Sequence, residues 1–406
     1  MRKSISVFFF AALLVSCDSK PAKQEVDITR SPLAIESPAD SASAEPYLFT
    51  DKNGIVYLSW IEKDSLNSTL KYSSLHNEKW SEPAVIASGN DWFVNWADYP
   101  VIATDESNNL ISHFLQKSEK GTYTYDVKLT TSNDQGKTWG APSILHDDGK
   151  KAEHGFVSIV PYGENYFISW LDGRNAAMEG GGGHHGGHHG QMTIRAAIID
   201  KSGKKINEWE LDNRVCDCCQ TSAAITDNGP VVVYRDRSDS EIRDISIVRF
   251  VNGQWTAPKS IFADNWKIEG CPVNGPRIAA TGNNVAVAWF SSPDKNALVN
   301  VAFSKDGGAA FSDPVKVNDD KTIGRVDIEW MNEKTVMVTW MEGAVVKATK
   351  VYNDGKKDSS FIVASTSESR SSGFPQMTKT ENSMIFAWTD DKKKTIRVAS
   401  LFIKEN

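Results

Sequence analysis

An all-β propeller of seven four-stranded blades is the fold class that this sequence of 406 residues predicts. Three observations lead there. A short apolar run ending in an aromatic residue returns seven times, at intervals of roughly 50 to 60 residues, the spacing of propeller blades. A turn motif, Ser-x-Asp-x-Gly-x-x-aromatic, occurs at 132–139 and again at 304–311, each time with a proline three residues past the aromatic, Pro142 and Pro314. The last unit stops after its third strand at Leu401-Phe402-Ile403, while a strand-like segment at 26–32 belongs to no unit.

The runs, in order, are 56–60 ending in Trp60, 110–114 ending in Phe114 and 166–170 ending in Trp170. They continue with 231–234 ending in Tyr234, 285–289 ending in Trp289, 336–340 ending in Trp340 and 384–388 ending in Trp388. All are short, β-branched and aromatic, which favours strands over helices. Each is preceded by a strand and a tight turn, such as 48–54, and followed by a third strand, such as 299–303. A fourth strand opens with an aromatic-x-x-Pro pattern at Trp80/Pro83, Trp139/Pro142, Trp255/Pro258 and Phe311/Pro314. Proline suits an outer edge strand, where its missing donor costs no ladder bond. Segment 26–32 is expected to pair with the last blade and close the ring, because an open edge is a liability.

The repeated turn resembles the Asp-box, or bacterial neuraminidase repeat, of sialidases and other β-propellers. Its Asp can bond its own backbone and its Gly supplies the positive φ of the turn. The resemblance implies a six-bladed sialidase-type ring as the alternative count, and exo-sialidase-like glycoside hydrolysis as the activity. Sialidases carry an Arg-Ile-Pro motif before the first-blade strand, whose arginine grips the substrate carboxylate. Here Ala44 and Glu45 precede Pro46 at that place, so the motif is degraded.

The N-terminal segment 1–16 reads as a signal peptide, with Arg2 and Lys3 before an apolar stretch too short to span a bilayer. It ends in Leu14-Val15-Ser16-Cys17, which resembles a bacterial lipoprotein box and implies cleavage before Cys17 and a lipid upon it. Residues 17–44 are expected to form a tether that includes the closing strand, and 45–406 the propeller. The expected location is the cell envelope, at the outer membrane or cell surface, as a monomer whose membrane partner is reached through Cys17. The net charge of -7 and the absence of a basic stripe exclude nucleic acid as an expected partner.

In an antiparallel blade, the one-to-two and three-to-four turns share one face of the ring. The two-to-three loops and the inter-blade loops share the other. Both Asp-boxes fall on the first face, and nearly all chemistry-bearing residues on the second, where a scaffold presents function. Trp92 and Trp96 lead into blade 2, and His154 into blade 3. Asp172, Arg174 and the glycine-rich tract with His184, His185, His188 and His189 follow the second strand of blade 3. Cys216, Cys218 and Cys219 lead into blade 4, and Arg235, Asp236, Arg237 and Arg243 follow its second strand. Trp266, Cys271 and Asn274 lead into blade 5.

Each group has two readings. The four cysteines suit either disulfides of an exported protein or a thiolate site for copper or zinc, with His154 and the histidine tract as further ligands. Arg235, Arg237 and Arg243 with Asp172 and Asp236 suit either an internal salt-bridge network or carboxylate grip and acid catalysis on a glycan. Trp92, Trp96 and Trp266, with Arg174 and Asn274, suit either packing between blades or a sugar-binding rim. The expected function is a polar ligand, a glycan, bound at the second face, with glycoside hydrolysis as its enzymatic form. The alternatives are a copper- or zinc-binding propeller, with no other cofactor implied, and a non-enzymatic interaction scaffold.

Overall fold

The computed structural model describes residues 31–105, 107–176 and 191–403, and folds them into seven antiparallel sheets. All seven apolar runs are second strands: Val56–Lys63, Leu110–Lys117, Asn165–Asp172, Gly229–Arg235, Asn284–Ser291, Thr335–Glu342 and Ser383–Asp390. Before them run the innermost strands, Ser43–Thr50, Ile102–Thr104, His154–Tyr162, Ser222–Thr226, Arg277–Thr281, Gly324–Asn332 and Gln376–Lys379. Sheet order follows chain order in blades 1 to 6. Helical structure among the described residues is limited to the short 3-10 turns Pro293–Lys295 and Arg370–Ser372. No helix there is long and apolar enough to cross a membrane.

The last blade breaks chain order. Its strands are completed by Leu33–Ile35, paired antiparallel with Thr395–Phe402 in the register Leu33↔Ser400, Ala34↔Ala399, Ile35↔Val398. The ring thus closes through the N-terminal segment, but a little further along the chain than 26–32. Ser31 and Pro32 precede the strand. Pro32 has no N–H to give to a ladder, and Leu33-Ala34-Ile35 is an uninterrupted run of donors that can. Residues 26–30, the segment 1–16, Cys17 and the four-histidine tract lie outside the described residues.

The core lies between blades rather than within one. Trp60, Trp170, Trp289 and Trp340, each ending an apolar run, are fully buried. Ile247 and Trp289 share a cluster across blades 4 and 5, Met337 and Phe386 across blades 6 and 7, and Trp60 and Val398 across the closing seam. Leu70 and Phe114 do the same across blades 1 and 2. Burying one such Leu or Phe side chain contributes about 1.5–3 kcal/mol, and here each blade's share depends on its neighbour.

Both Asp-boxes adopt one geometry. Ser132 Oγ donates to Asp134 Oδ1 at 2.8 Å and accepts from Gly136 N–H at 2.8 Å. Ser304 Oγ donates to Asp306 Oδ1 at 2.7 Å and accepts from Gly308 N–H at 2.9 Å. Asp134 then accepts from Thr138 N–H at 2.9 Å, as Asp306 does from Ala310 at 3.0 Å. Trp139 stands edge-on to Tyr72 of the preceding blade, ring centroids 5.9 Å apart, and Phe311 packs on the cluster that holds Ile247 of its own preceding blade. The boxes fasten each blade to the one before it.

Candidate functional site

Three chain segments lie side by side where blades 4 and 5 meet. Cys216 N–H donates to Arg235 O at 3.0 Å, Asp236 N–H to Asp244 O at 2.9 Å, and Arg243 N–H to Trp266 O at 2.9 Å. This stitching brings the loops carrying Cys216, Cys218, Cys219 and Cys271 to one place. The Cys216 sulfur is 3.6 Å from that of Cys219 and 3.9 Å from that of Cys218. Cys271 interacts electrostatically with Cys218. None of the four forms a disulfide. Cys216 and Cys219 are buried, Cys218 is half-buried and Cys271 exposed.

Electrostatics make the thiols unequal. The neighbouring Cys218 and Cys219 thiols, helped by the Arg243 guanidinium, hold Cys216 well below the usual thiol range despite burial. Arg243 Nη1 donates to Cys216 Sγ at 3.2 Å. Cys218 is pushed well up, first by its hydrogen bond to Cys216, and Cys219 is pushed up chiefly by burial. Within the group, Cys216 is thus the thiol whose ionised form its neighbours favour most.

The arginines and acids beside it are tied down inside the fold. Arg235 is buried and donates to Asn274 O at 2.8 Å, Arg243 O at 2.7 Å and Phe290 O at 2.6 Å, joining two loops to the second strand of blade 5. Asn274 spans to the next blade by accepting from Arg325 N–H at 2.7 Å. Asp236 accepts from Arg237 N–H at 2.6 Å and Ser246 Oγ at 2.9 Å. Arg237 pairs with Glu241 at 2.9 Å and Asp217 at 3.2 Å. Trp266 is buried, with the Arg235 guanidinium 4.9 Å from its ring centroid. The sequence expectation of catalytic arginines and an exposed Trp266 thus meets a network of struts. Arg235 spends its donors on main-chain carbonyls, and Trp266 supplies the ring beneath it.

His154 sits among carboxylates rather than thiols. Its Nε2 lies 3.0 Å from Asp148 Oδ2 and 3.6 Å from Asp172 Oδ1. Its ring is stacked on His146, centroids 3.5 Å apart and planes within 4°. Arg174 closes the group, with Nη2 at 2.7 Å from Asp172 Oδ2 and Nε at 3.3 Å from Asp148 Oδ2. Burial, then the nearby His154, lowers His146. Asp172, whose backbone and side chain are buried, also takes the Trp170 indole N–H at 2.8 Å. Asp126, Asp148, Asp172, His146 and His154 include donor sets within metal-binding reach, but Arg174 already supplies the positive charge.

A third group lies at the mouth of the central channel. Arg277 begins the innermost strand of blade 5, and so stands at its upper end. Its Nε donates to Asp327 Oδ1 at 2.9 Å and its Nη1 to Tyr99 Oη at 2.7 Å; Nη2 only reaches Gln376 Oε1 at 3.5 Å. Tyr99 stacks on Tyr47, centroids 5.6 Å apart. Trp96 stacks on Phe374 at 5.6 Å, and the Arg325 and Arg370 guanidiniums lie 5.0 and 6.0 Å from its centroid. Glu329, further down the same channel strand as Asp327, is pushed up to about 7 by burial and then by Asp327. Of the expected rim tryptophans, Trp96 belongs here. Trp92 instead stacks on Phe114 at 4.2 Å, between blades.

Tyr47, Tyr99, Arg277, Asp327, Gln376 and Glu329 were absent from the sequence expectations. The available signal was a polar residue inside an innermost strand whose neighbours are apolar, as in Arg277-Ile278-Ala279-Ala280 and Val326-Asp327-Ile328.

Residues 68–246 match the BNR repeat-like domain. No curated protein matches the chain by sequence. Among solved structures, the chain is similar to the polysaccharide lyase Uly1, with a TM-score of 0.55 at 8% identity over 96% of this chain and 95% of that one. It is similar to a protein of unknown function from Dyadobacter fermentans, with a TM-score of 0.51 at 11% identity over 93% and 99%. An ulvan lyase of a new polysaccharide lyase family gives a TM-score of 0.50 at 14% identity over 78% and 80%. At such identities the likeness is one of fold. The chain is thus a seven-bladed β-propeller with two Asp-box turns, in which the stretch 68–246 is similar to the BNR repeat-like domain.

Proposed function

We propose that this propeller binds an acidic polysaccharide at the upper mouth of its channel, and that a lipid on Cys17 holds it at the cell envelope. The observation that carries the binding site is the grouping of Trp96, Tyr99 and Tyr47 with Arg277, Asp327 and Arg370 at one end of the ring. Aromatic faces pack on the C–H faces of sugar rings, and guanidinium forks pair with carboxylate or sulfate. Asp327 and Tyr99 pre-orient Arg277, while its Nη2, with only a 3.5 Å contact, is the donor left for a ligand anion. Two fold neighbours named as polysaccharide lyases support a carbohydrate as the ligand class. Support for the anchor is the Leu14-Val15-Ser16-Cys17 sequence.

Affinity electrophoresis through gels containing polyuronate, sulfated or neutral polysaccharide tests the binding site. An acidic polymer should retard the protein. Arg370→Ala and Tyr99→Phe should weaken that retardation about tenfold, about 1.4 kcal/mol, with unfolding temperatures near that of the parent. No retardation by any polymer, or equal retardation of parent and both variants, would sink the proposal. Reducing-end and unsaturation assays on the same mixtures report whether cleavage accompanies binding.

A further inference from the structure

We infer that Cys216, Cys218, Cys219 and Cys271 form a binding site for one soft, thiophilic cation, zinc(II) or copper(I), separate from the channel mouth. The Cys216, Cys218 and Cys219 sulfurs lie within 4.8 Å of one another, and the loop that carries the exposed Cys271 reaches them through Asn274 N–H, which meets Cys219 Sγ at 3.4 Å. A tetrahedral ion with metal–sulfur bonds of about 2.3 Å sets its sulfurs about 3.8 Å apart. The Cys216–Cys219 and Cys216–Cys218 separations, 3.6 and 3.9 Å, bracket that edge. Cys216, Cys218 and Cys219 are thus already near the spacing that a metal requires.

The surroundings hold them there. Gly275 N–H donates to Gln220 Oε1 at 2.9 Å, and Gln220 Nε2 donates to Ala97 O at 2.6 Å. This links the two cysteine-bearing loops to the loop entering blade 2. A Cβ on Gly275 would fall 2.2 Å from Gln220 O, so only glycine permits the loops to approach this closely. Asn274 N–H donates to Cys219 Sγ at 3.4 Å, a contact of the kind that orients a metal-binding thiolate.

Charge fits as well. Four thiolates around a divalent ion leave two negative charges, and two buried guanidiniums, Arg243 and Arg235, stand beside the sulfurs. Arg243 donates to Cys216, and its buried Nε has no partner among the described residues. Of the acids in the same loops, Asp217 pairs with Arg237, and Glu241 pairs with both Arg237 and Arg243, the latter at 2.8 Å. Loading zinc(II) releases whatever protons the four thiols still carry and leaves four metal–sulfur bonds, with no change of oxidation state. Copper(I) needs fewer thiolates and releases correspondingly fewer protons.

The experiment uses the reduced full chain, stripped with a chelator and titrated with zinc(II) or with copper(I), under an inert atmosphere. Bound metal and reactive thiols are counted together. One tight equivalent per chain should appear in at least one arm, shielding cysteines of this group from a thiol reagent. Competition between the ions then identifies the preferred one. Cys218→Ser, at a half-buried position, should weaken binding at least about tenfold. A quadruple Ala variant of His184, His185, His188 and His189 should retain the tight equivalent. The inference is overturned if all thiols stay reactive with metal present. It is equally overturned if the tight ion survives Cys218→Ser but leaves with the histidines, or if the reduced chain binds neither ion. Retardation by polysaccharide should be unchanged in Cys218→Ser, so this reading and the channel-mouth reading fail separately.

Discussion

Among single residues, Asp98 has the clearest electrostatic role. It is buried, and its carboxylate accepts the Phe156 N–H at 2.6 Å, tying the loop before blade 2 to the first strand of blade 3. That strand bulges between Gly155 and Ser158, and Phe156 takes a φ of 54°. A Cβ at Gly155 would sit 2.5 Å from Asp98 Oδ2. Burial raises Asp98 to about 7, against the pull of the Phe156 and Val157 N–H groups. The folded chain therefore keeps a proton that the unfolded chain releases near pH 4. Stability from this group is fully present below about pH 4 and is lost as pH rises through about 7. The full shift corresponds to a loss on the order of 4 kcal/mol. Burial raises Glu45, Glu153 and Glu329 to about 7 as well, giving the same sign. His113, lowered to about 3 by burial, has the opposite sign and loses its contribution as pH falls below about 6.5. Asp98→Asn keeps an acceptor for Phe156 but removes the titration. Its unfolding free energy should fall less between pH 5 and pH 8 than that of the parent. Asp98→Ala should cost about 1–3 kcal/mol at pH 5 by leaving the Phe156 N–H unpaired, and less at pH 8, where the parent has lost the contribution of this group. Equal pH slopes for parent and Asp98→Asn in denaturant titrations would refute this account.

The elements differ in how legible they were. Second strands announced themselves because both their faces are buried, so Val285-Ala286-Val287-Ala288-Trp289 reads as an unbroken apolar run. Fourth strands were legible mainly through their prolines, because an edge of two residues such as Ser143–Ile144 has almost no pattern of its own. The cysteine group was partly visible, since Cys216, Cys218 and Cys219 adjoin in sequence. The channel mouth was not, because Tyr47, Tyr99, Arg277 and Gln376 come from four distant segments that only ring closure brings together. The Asp-boxes were legible as turns, but their grip on the preceding blade required the structure. Gly136 has a φ of 79°, and a Cβ there would lie 1.8 Å from Tyr72 Oη. Gly136→Ala should therefore destabilise the fold more than Ser132→Ala, which loses one buried hydroxyl worth about 1–2 kcal/mol. Tyr72→Phe removes the clashing oxygen, so the double variant Gly136→Ala/Tyr72→Phe should recover part of the loss. A coupling energy of at least about 0.5 kcal/mol is expected from the cycle. Strict additivity would mean that the box is only a local turn.

Across the whole molecule, stability depends on closing the ring. Every buried cluster bridges adjacent blades, so a seam left open would expose two apolar faces at once. Residues 33–43 cover that seam. Leu33–Ile35 completes the last sheet, Ile35 and Ala39 pack on the cluster of Trp60 and Val398, and Ser43 Oγ accepts from Ile396 N–H at 3.2 Å. Deleting 31–38 removes the closing strand and leaves Thr395–Phe402 as an edge, so the unfolding temperature should fall by several degrees. Loss of fold could follow from the deletion for other reasons, so a gain should be sought as well. Ala34 and Ala399 face each other across the ladder, and paired antiparallel residues have Cα atoms about 4.5–5.5 Å apart, within disulfide range. Ala34→Cys with Ala399→Cys, in a background where Cys216, Cys218, Cys219 and Cys271 are serine, should cross-link on oxidation. The bond would close a loop of more than three hundred residues and restrict the unfolded chain, a gain of up to about 5 kcal/mol. Unfolding should shift upward in the oxidised protein and return on reduction. If the pair fails to cross-link in the folded protein and the deletion leaves the unfolding temperature unchanged, the N-terminal strand does not close this ring.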